Sequence, residues 1–190
     1  MKIIGGCARG VELAELGDQR GVRPTVGRSR EALFNALGDL TGARVLDLFA
    51  GSGALGLEAA SRGSASVMLV ELERSRLPVI EANIAKVFKT GCAANIVLKN
   101  ADATEPARYL AGGEFDLVFA DPPYAASFAA FQKLATGDGE AIFPAFGGAR
   151  VVWELPDPPG SRGDFIAHLD ARGAAWRLRR FGGTDFLWIN

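Results

Sequence analysis

The sequence predicts an α/β fold built on one mostly parallel, seven-stranded sheet that closes with an antiparallel strand pair. Three observations predict it. From residue 43 onward, short apolar runs alternate with helical stretches. The first of these runs ends in a glycine-rich loop that opens a helix. The last two runs are separated only by Gly182-Gly183, too short for the crossover that parallel neighbours require. Apolar strands set between helices belong to a sheet covered on both faces.

The elements follow in order. KIIGG reads as a short strand and CARGVELAEL as its hairpin partner, an N-terminal extension ahead of the main domain. SREALFNALGDL is a helix with Ser29 as its expected N-cap and Leu33, Phe34 and Leu37 as its apolar stripe. This divides the chain into an extension over 1–40 and a main domain over 41–190 that carries the sheet. ARVLDLFA is the first sheet strand, and ALGLEAASRG a helix stopped by Gly63. SVMLVEL is a strand, followed by the helix RSRLPVIEANIAKVFKTG, interrupted early by Pro78. NIVLKN is the third strand, and ADATEPARYLAGG a loop with a short helix. FDLVFADPPY is the fourth strand with its exit, and SFAAFQKLATG a helix. ARVVWELP, AWRLRRF and DFLWIN complete the sheet, and the Pro-rich LPDPPGSRG is a loop.

Composition narrows the function. The chain has 190 residues, 48% hydrophobic and 23% charged, and no apolar run near the roughly 20 residues of a membrane span. The start of the sequence carries no secretory signal. Cys7 and Cys92 stand far apart without a CxxC, and read as lone thiols of a reducing cytoplasm, not as a metal site. His168 is the single histidine, which excludes histidine-rich metal centres and leaves no nucleophile–histidine motif. The net charge of −1 argues against broad coating of nucleic acid. It leaves room for a local patch. RGVRPTVGRSR, residues 20–30, carries Arg20, Arg23, Arg28 and Arg30 with no acid among them, and suits either a nucleic-acid arm or a solvated face.

Two motifs carry chemistry. In LDLFAGSGALGLEAA, Gly51, Gly53 and Gly56 satisfy GxGxxG between a strand and a helix, and Glu71 lies 20 residues after Gly51. By spacing alone this is a dinucleotide fingerprint. Asp47, inside the strand just before the loop, points elsewhere. A carboxylate there suits a cationic ligand better than a pyrophosphate. S-adenosylmethionine has a sulfonium, an amino group, no phosphate, and ribose hydroxyls that Glu71 can accept. Asp102 closes the third strand at the same sheet edge. It is placed either to accept from an adenine amine or to cap the following turn.

The second motif is FADPPYAAS. Asp121, Pro122, Pro123 and Tyr124 leave the fourth strand beside the same crevice. Two prolines remove two backbone donors, so acceptors remain, together with an aromatic face for a base. Such a place welcomes an NH2 group, whose developing nitrogen charge acceptors favour during attack on a methyl. The carboxylate leans towards guanine, which presents N1–H and N2–H2 side by side, without excluding adenine. A second DPP at 157–159 ends in Gly160 and predicts only a turn.

These residues resemble the Rossmann-fold amino-methyltransferases. The chain is most similar to the bacterial small-subunit ribosomal RNA guanine-N2 methyltransferase family, through MKIIGG…RG, VRPTVGRSREALFNAL, VLDLFAGSGALGLEAASRG, FDLVFADPPY and the closing FGGT. The resemblance implies S-adenosylmethionine as methyl donor and a guanine N2 of 16S rRNA, within the small subunit, as acceptor. It implies that Asp47, Ala50, Gly51, Ser52, Gly53, Glu71, Leu72, Asp102 and Ala103 hold the cofactor. Asp121, Pro122, Pro123 and Tyr124 would hold the base, and Arg9, Arg23, Arg28 and Arg30 RNA phosphates. Arg23, Thr25, Arg28 and Asn35 are also expected along the near wall of the cofactor pocket. Gly27 departs from the family, which often has an acid there. A cytoplasmic monomer without metal or membrane contact is expected. The other readings are a related amine methyltransferase acting on DNA or adenine, a nucleotide-dependent oxidoreductase, and a non-catalytic RNA-binding module.

Overall fold

Each central strand alternates its side chains between two buried faces, and this decides the layering. Leu46, Leu48, Val118, Ala120, Val151, Trp153, Leu187 and Ile189 enter one core; Val45, Val67, Leu69, Leu117, Phe119, Val152, Phe186 and Trp188 enter the other. The protein is described by a computed structural model over residues 1–16, 27–110, 114–156 and 162–190. The strands are β1 (Arg44–Leu48), β2 (Ser66–Glu71), β3 (Asn95–Asn100), β4 (Leu117–Ala120), β5 (Arg150–Glu154), β6 (Trp176–Phe181) and β7 (Thr184–Ile189). The helices are α1 (Gly27–Leu37), α2 (Ala54–Ser61), α3 (Leu77–Phe88), α4 (Ser127–Leu134) and α5 (Arg162–Ala171). The sheet order is β3-β2-β1-β4-β5-β7-β6, parallel except where β7 runs against β5 and β6. The expected seven strands and antiparallel closing pair are all present.

Helices α4 and α5 cover the first core. Phe131 of α4 meets Trp153 of β5 edge-on at 5.0 Å between centroids, and Phe165 of α5 at 4.9 Å. The buried Trp153 indole N–H donates to Ser127 Oγ at 3.1 Å, so no polar group is stranded there. Helix α1 covers the other face beside α2. Phe34 packs against Phe119 of β4 at 5.5 Å.

Several local expectations change. Ser29 is not an N-cap. It is buried in the first turn of α1, where its Oγ accepts from the Thr184 hydroxyl at 3.2 Å. Pro78 does not interrupt α3. It stands in the first turn, where its missing N–H costs nothing, after a 3-10 turn over Arg74–Arg76. Helix α5 begins at the end of the expected LPDPPGSRG loop and is not expected from the sequence, because its apolar residues show almost no helical segregation. Residues 157–159, the second DPP, lie outside the described residues.

The N-terminal hairpin reduces to one bridge, Lys2 to Glu12. The reason is competition for its backbone. The N–H groups of Ile4 and Gly5 donate to the Glu58 carboxylate of α2 at 2.8 and 2.9 Å. Those of Cys7 and Ala8 donate to Ser61 O and Oγ. The arm therefore keeps only a short pairing, with Ile3 N donating to Val11 O, Gly10 N to Ile3 O and Leu13 N to Met1 O, and gives its other donors to α2. Asn83 of α3 continues the seam, accepting from Ala14 N at 2.7 Å and donating to Ala14 O and Ser52 O.

The reading of Cys7 and Cys92 as lone thiols is overturned. They form a disulfide, with Cα atoms 5.8 Å apart across 85 residues of sequence. The seam explains it: docking the arm on α2 brings residue 7 to the turn that follows α3. Among the described residues, no helix is long and apolar enough to cross a membrane.

Candidate active site

The sheet order reverses at β1. Chain order runs outward to β2 and β3 on one side and to β4 and β5 on the other. At such a switch point the loops leaving the carboxyl ends part, and a crevice opens. Here it is a cavity of about 680 Å³, within the range of small-molecule and cofactor sites. Its walls include Asp47, Ala50, Gly51, Ser52, Glu71, Leu72, Asp102, Ala103, Asp121 and Pro123. The sequence separates these residues by as many as 76 positions, and the switch point brings them together.

The glycine loop is tightly constrained. Phe49 has φ 59°, the single positive-φ residue other than glycine among the described residues, and it lines the cavity. Gly53, with φ 79°, starts α2 and is beneath the cavity wall, not part of it. Gly56 is needed for a different reason. A Cβ there would lie 2.3 Å from Leu69 Cδ2 and 3.1 Å from Asp47 Oδ2. Its absence lets α2 sit directly on β1 and β2.

Carboxylates take up the loop's donors. Asp47, 2% exposed, accepts from Gly56 N at 2.8 Å. Burial pushes its pKa well above the ordinary carboxylate value; the Gly56 bond opposes this, and the charges of Asp121 and Glu71 add to it. Glu71, also buried, accepts from Gly51 N at 2.8 Å through Oε2. Its Oε1 accepts from Glu73 N at 2.9 Å and pairs with Arg76 Nη1 at 3.3 Å. Leu72 beside it is 64% exposed, an apolar side chain held at the cavity wall. Asp102 is not the N-cap of the next 3-10 turn, a position held by Glu105; it closes the loop before it, its Oδ1 accepting from Thr104 N and Oγ1, both at 2.8 Å. Burial raises its pKa, but these two bonds, with Lys133 and Arg108, hold it below the ordinary value. Asp102 still lines the cavity.

The DPPY exit is divided. Asp121 and Pro123 face the cavity, whereas Pro122 is buried and Tyr124 is half-buried in a 3-10 turn over Tyr124–Ala126, outside the lining. Beyond them, Ala126 of that turn and Ala129, Ala130 and Lys133 of α4 extend the wall. The N-terminal arm adds Met1, Glu15 and Leu16. No local signal marks these residues; they reach the site because the arm docks on α2 and α3.

The arginines separate as well. Arg9 and Arg28 are exposed. Arg30 is not available to RNA phosphate, contrary to expectation. It is 1% exposed, 3.9 Å from Glu58, and bonded to Met1 Sδ at 2.6 Å and to Lys2 O. Burial, the largest cause, lowers its pKa. An arginine on the inner face of α1 fills the space over Glu58, which also holds Arg62 at 2.8 Å. Asn35 is exposed and, like Arg28, outside the cavity lining. Arg23 and Thr25 lie outside the described residues.

This architecture recurs among known proteins. The chain is 42% identical over 127 residues to ribosomal RNA small subunit methyltransferase D of Escherichia coli (strain K12), a match covering 65% of this chain and 60% of that one. The chain thus spans about 60% of the length of that curated relative. A solved hypothetical protein of Thermus thermophilus superposes with a TM-score of 0.70 at 30% identity, covering 100% of this chain and 99% of that one. A solved Escherichia coli chain, described as a methyltransferase by resemblance, gives 0.68 at 29% identity, covering 100% and 97%. The family model described as conserved hypothetical protein 95 matches residues 1–138, and the chain belongs to that family.

Proposed function

We propose that this chain transfers a methyl group from S-adenosylmethionine to the exocyclic N2 amine of a guanine in small-subunit ribosomal RNA. The observation that carries the reading is the occupation of the loop's donors. A pyrophosphate needs backbone N–H groups at the loop and helix start. Here Gly51 N already donates to Glu71 and Gly56 N to Asp47. The cavity offers carboxylates instead, which fits a cationic, phosphate-free cofactor and disfavours NAD. The relatives named as ribosomal RNA small subunit methyltransferase D support the substrate class.

When bound, the cofactor supplies an electrophilic methyl on a sulfonium. The chain's own residues do the rest. Leu72 gives an apolar surface for a planar base, and Glu71 and Asp102 give acceptors along the wall. Asp121 faces the cavity beside Pro123, where neither Pro122 nor Pro123 offers an N–H. Its carboxylate accepts from N1–H and N2–H of a guanine, orients the amine and favours the charge that grows on nitrogen. With the cofactor bound, the amine would take its methyl, S-adenosylhomocysteine would leave, and the proton the amine must lose would pass to the Asp121 carboxylate or to water.

The test is labelled-methyl transfer to naked rRNA, small subunits and DNA, followed by nucleoside analysis. Label in N2-methylguanosine of small-subunit rRNA is expected. Label in DNA or in methyladenosine would overturn the acceptor. Tight binding of NADH without S-adenosylmethionine binding would overturn the cofactor. An rRNA substrate also assigns the reaction to the cytoplasm.

A further inference from the structure

We propose that the outer strand β6, together with the start of α1, forms a basic track for the RNA backbone beside the active-site crevice. This rests on the reading of the substrate as RNA. Strand β6 reads WRLRRF, with Arg177, Arg179 and Arg180 and no acid within it. It is the terminal strand of the sheet. Arg177 and Arg180 are exposed. Arg179 lies over the Trp188 indole, its guanidinium carbon 4.4 Å from the ring centroid. Stacking occupies the flat face of a guanidinium and preorganises its N–H fork for an anion such as phosphate.

Topology directs this charge toward the cavity. Strand β6 is parallel to β5, so its carboxyl end lies at the same sheet edge as the crevice. Arg180, next to that end, is opposite Asp185 in register. Asp185 is nearly buried and also pairs with Arg162, so it does not neutralise the strand. The turn at Gly182 sits against α1: a Cβ on Gly182 would lie 2.6 Å from Ser29 Oγ. Arg28, exposed and adjacent to Ser29, lies beside this turn on the face that α1 covers; strand alternation gives Arg177 and Arg179 that same face and projects Arg180 from the other, at the crevice end of the strand. Three strand spacings separate β6 from β4, about 14 Å, a span that a few nucleotides cover. A splayed base can then enter at Asp121 while neighbouring phosphates rest on the arginines, the manner in which single-stranded RNA is commonly held.

Arginines on an edge strand have a second use, blocking strand pairing between molecules. The test separates the two. Binding of 16S rRNA and of small subunits is measured for the wild-type chain and Arg177→Gln/Arg180→Gln between about 50 and 200 mM salt, with S-adenosylmethionine affinity as a check on folding. The variant should bind RNA at least about tenfold more weakly at low salt, with a salt slope shallower by about 1.4, from roughly 0.7 per phosphate contact. Cofactor affinity should be unchanged. Unaltered RNA affinity and slope overturn the proposal, and so does self-association of the variant with RNA binding intact. Arg177→Glu alone, expected to weaken RNA binding further than Arg177→Gln, keeps the test decisive if the double variant folds poorly. A wild-type chain that methylates no RNA defeats the functional reading; one that does, beside a variant that binds RNA normally, defeats only the track.

Discussion

Glu71 at the end of β2 fastens the glycine loop from below: its Oε2 accepts from the backbone N–H of Gly51 at 2.8 Å. The same carboxylate pairs with Arg76 and accepts from Glu73 N. One side chain thus sets the position of the loop, the exit of β2 and the entry to α3, so its loss should be felt in both stability and cofactor binding.

Glu71→Ala is expected to leave the Gly51 donor unpaired. That costs about 1–3 kcal/mol, or a fall in Tm of a few degrees at roughly 2–4 °C per kcal/mol. Thermal melts without cofactor measure the first effect. Calorimetry with S-adenosylmethionine should show at least a tenfold weakening. A variant with wild-type Tm and affinity would remove Glu71 from both roles.

Asp47 should make stability depend on pH with an unusual sign. Its folded pKa is raised by burial, so the folded state holds a proton that the unfolded chain has lost above 3.8. The stability linked to that proton is fully present below 3.8 and declines as pH rises through the folded pKa. Asp47→Asn can still accept from Gly56 N and has no such proton. Urea unfolding at several pH values should therefore show the wild type losing stability relative to Asp47→Asn as pH rises. The variant should meanwhile bind S-adenosylmethionine more weakly. Parallel pH curves would refute the buried-acid argument.

Asp121→Ala should lower methyl transfer by about 100-fold or more, the scale for loss of one preorganised electrostatic partner. Cofactor affinity should change little, since the proposed partner of Asp121 is the base. Single-turnover assays at saturating cofactor read the first quantity and calorimetry the second. Near-normal turnover would exclude Asp121 from the mechanism.

The Cys7–Cys92 bond closes a loop of 85 residues. Loop-closure entropy puts its effect at about 4–5 kcal/mol. Cys92→Ser, or reduction, should lower urea stability by up to that amount and loosen the arm that supplies Met1, Glu15 and Leu16 to the cavity. Thiol titration of the denatured, unreduced chain should find no free thiol. Two thiols per chain would show that the bond does not form in solution.

Much of the site is legible in local sequence. The glycine loop between β1 and α2, the acid ending β2 and the acid-proline exit of β4 are each properties of a few adjacent residues. What they require is only that apolar runs become parallel strands. The ambiguous residues are those with two local meanings. Asp102 could face a ligand or cap a turn, and Thr104 supplies the donors with which it closes the loop before that turn. Arg30 belongs to a basic run, yet Glu58, 28 residues later, draws it inside.

The sequence by itself determined the alternation of strands and helices, the antiparallel closing pair and the edge of the sheet at which the chemistry-bearing residues emerge. These follow from side-chain periodicity and turn residues, which act over a few positions. Only the tertiary structure decided which strands are neighbours, that the arm follows α2 instead of forming a longer hairpin, that Cys7 meets Cys92, and that the carboxyl end of β6, with Arg180 beside it, lies at the sheet edge where the crevice opens. Those outcomes depend on competition for hydrogen bonds and burial between segments far apart in sequence. Glu58 shows the competition most directly: its carboxylate collects the N–H groups of Ile4 and Gly5 and the guanidinium of Arg62, and faces that of Arg30.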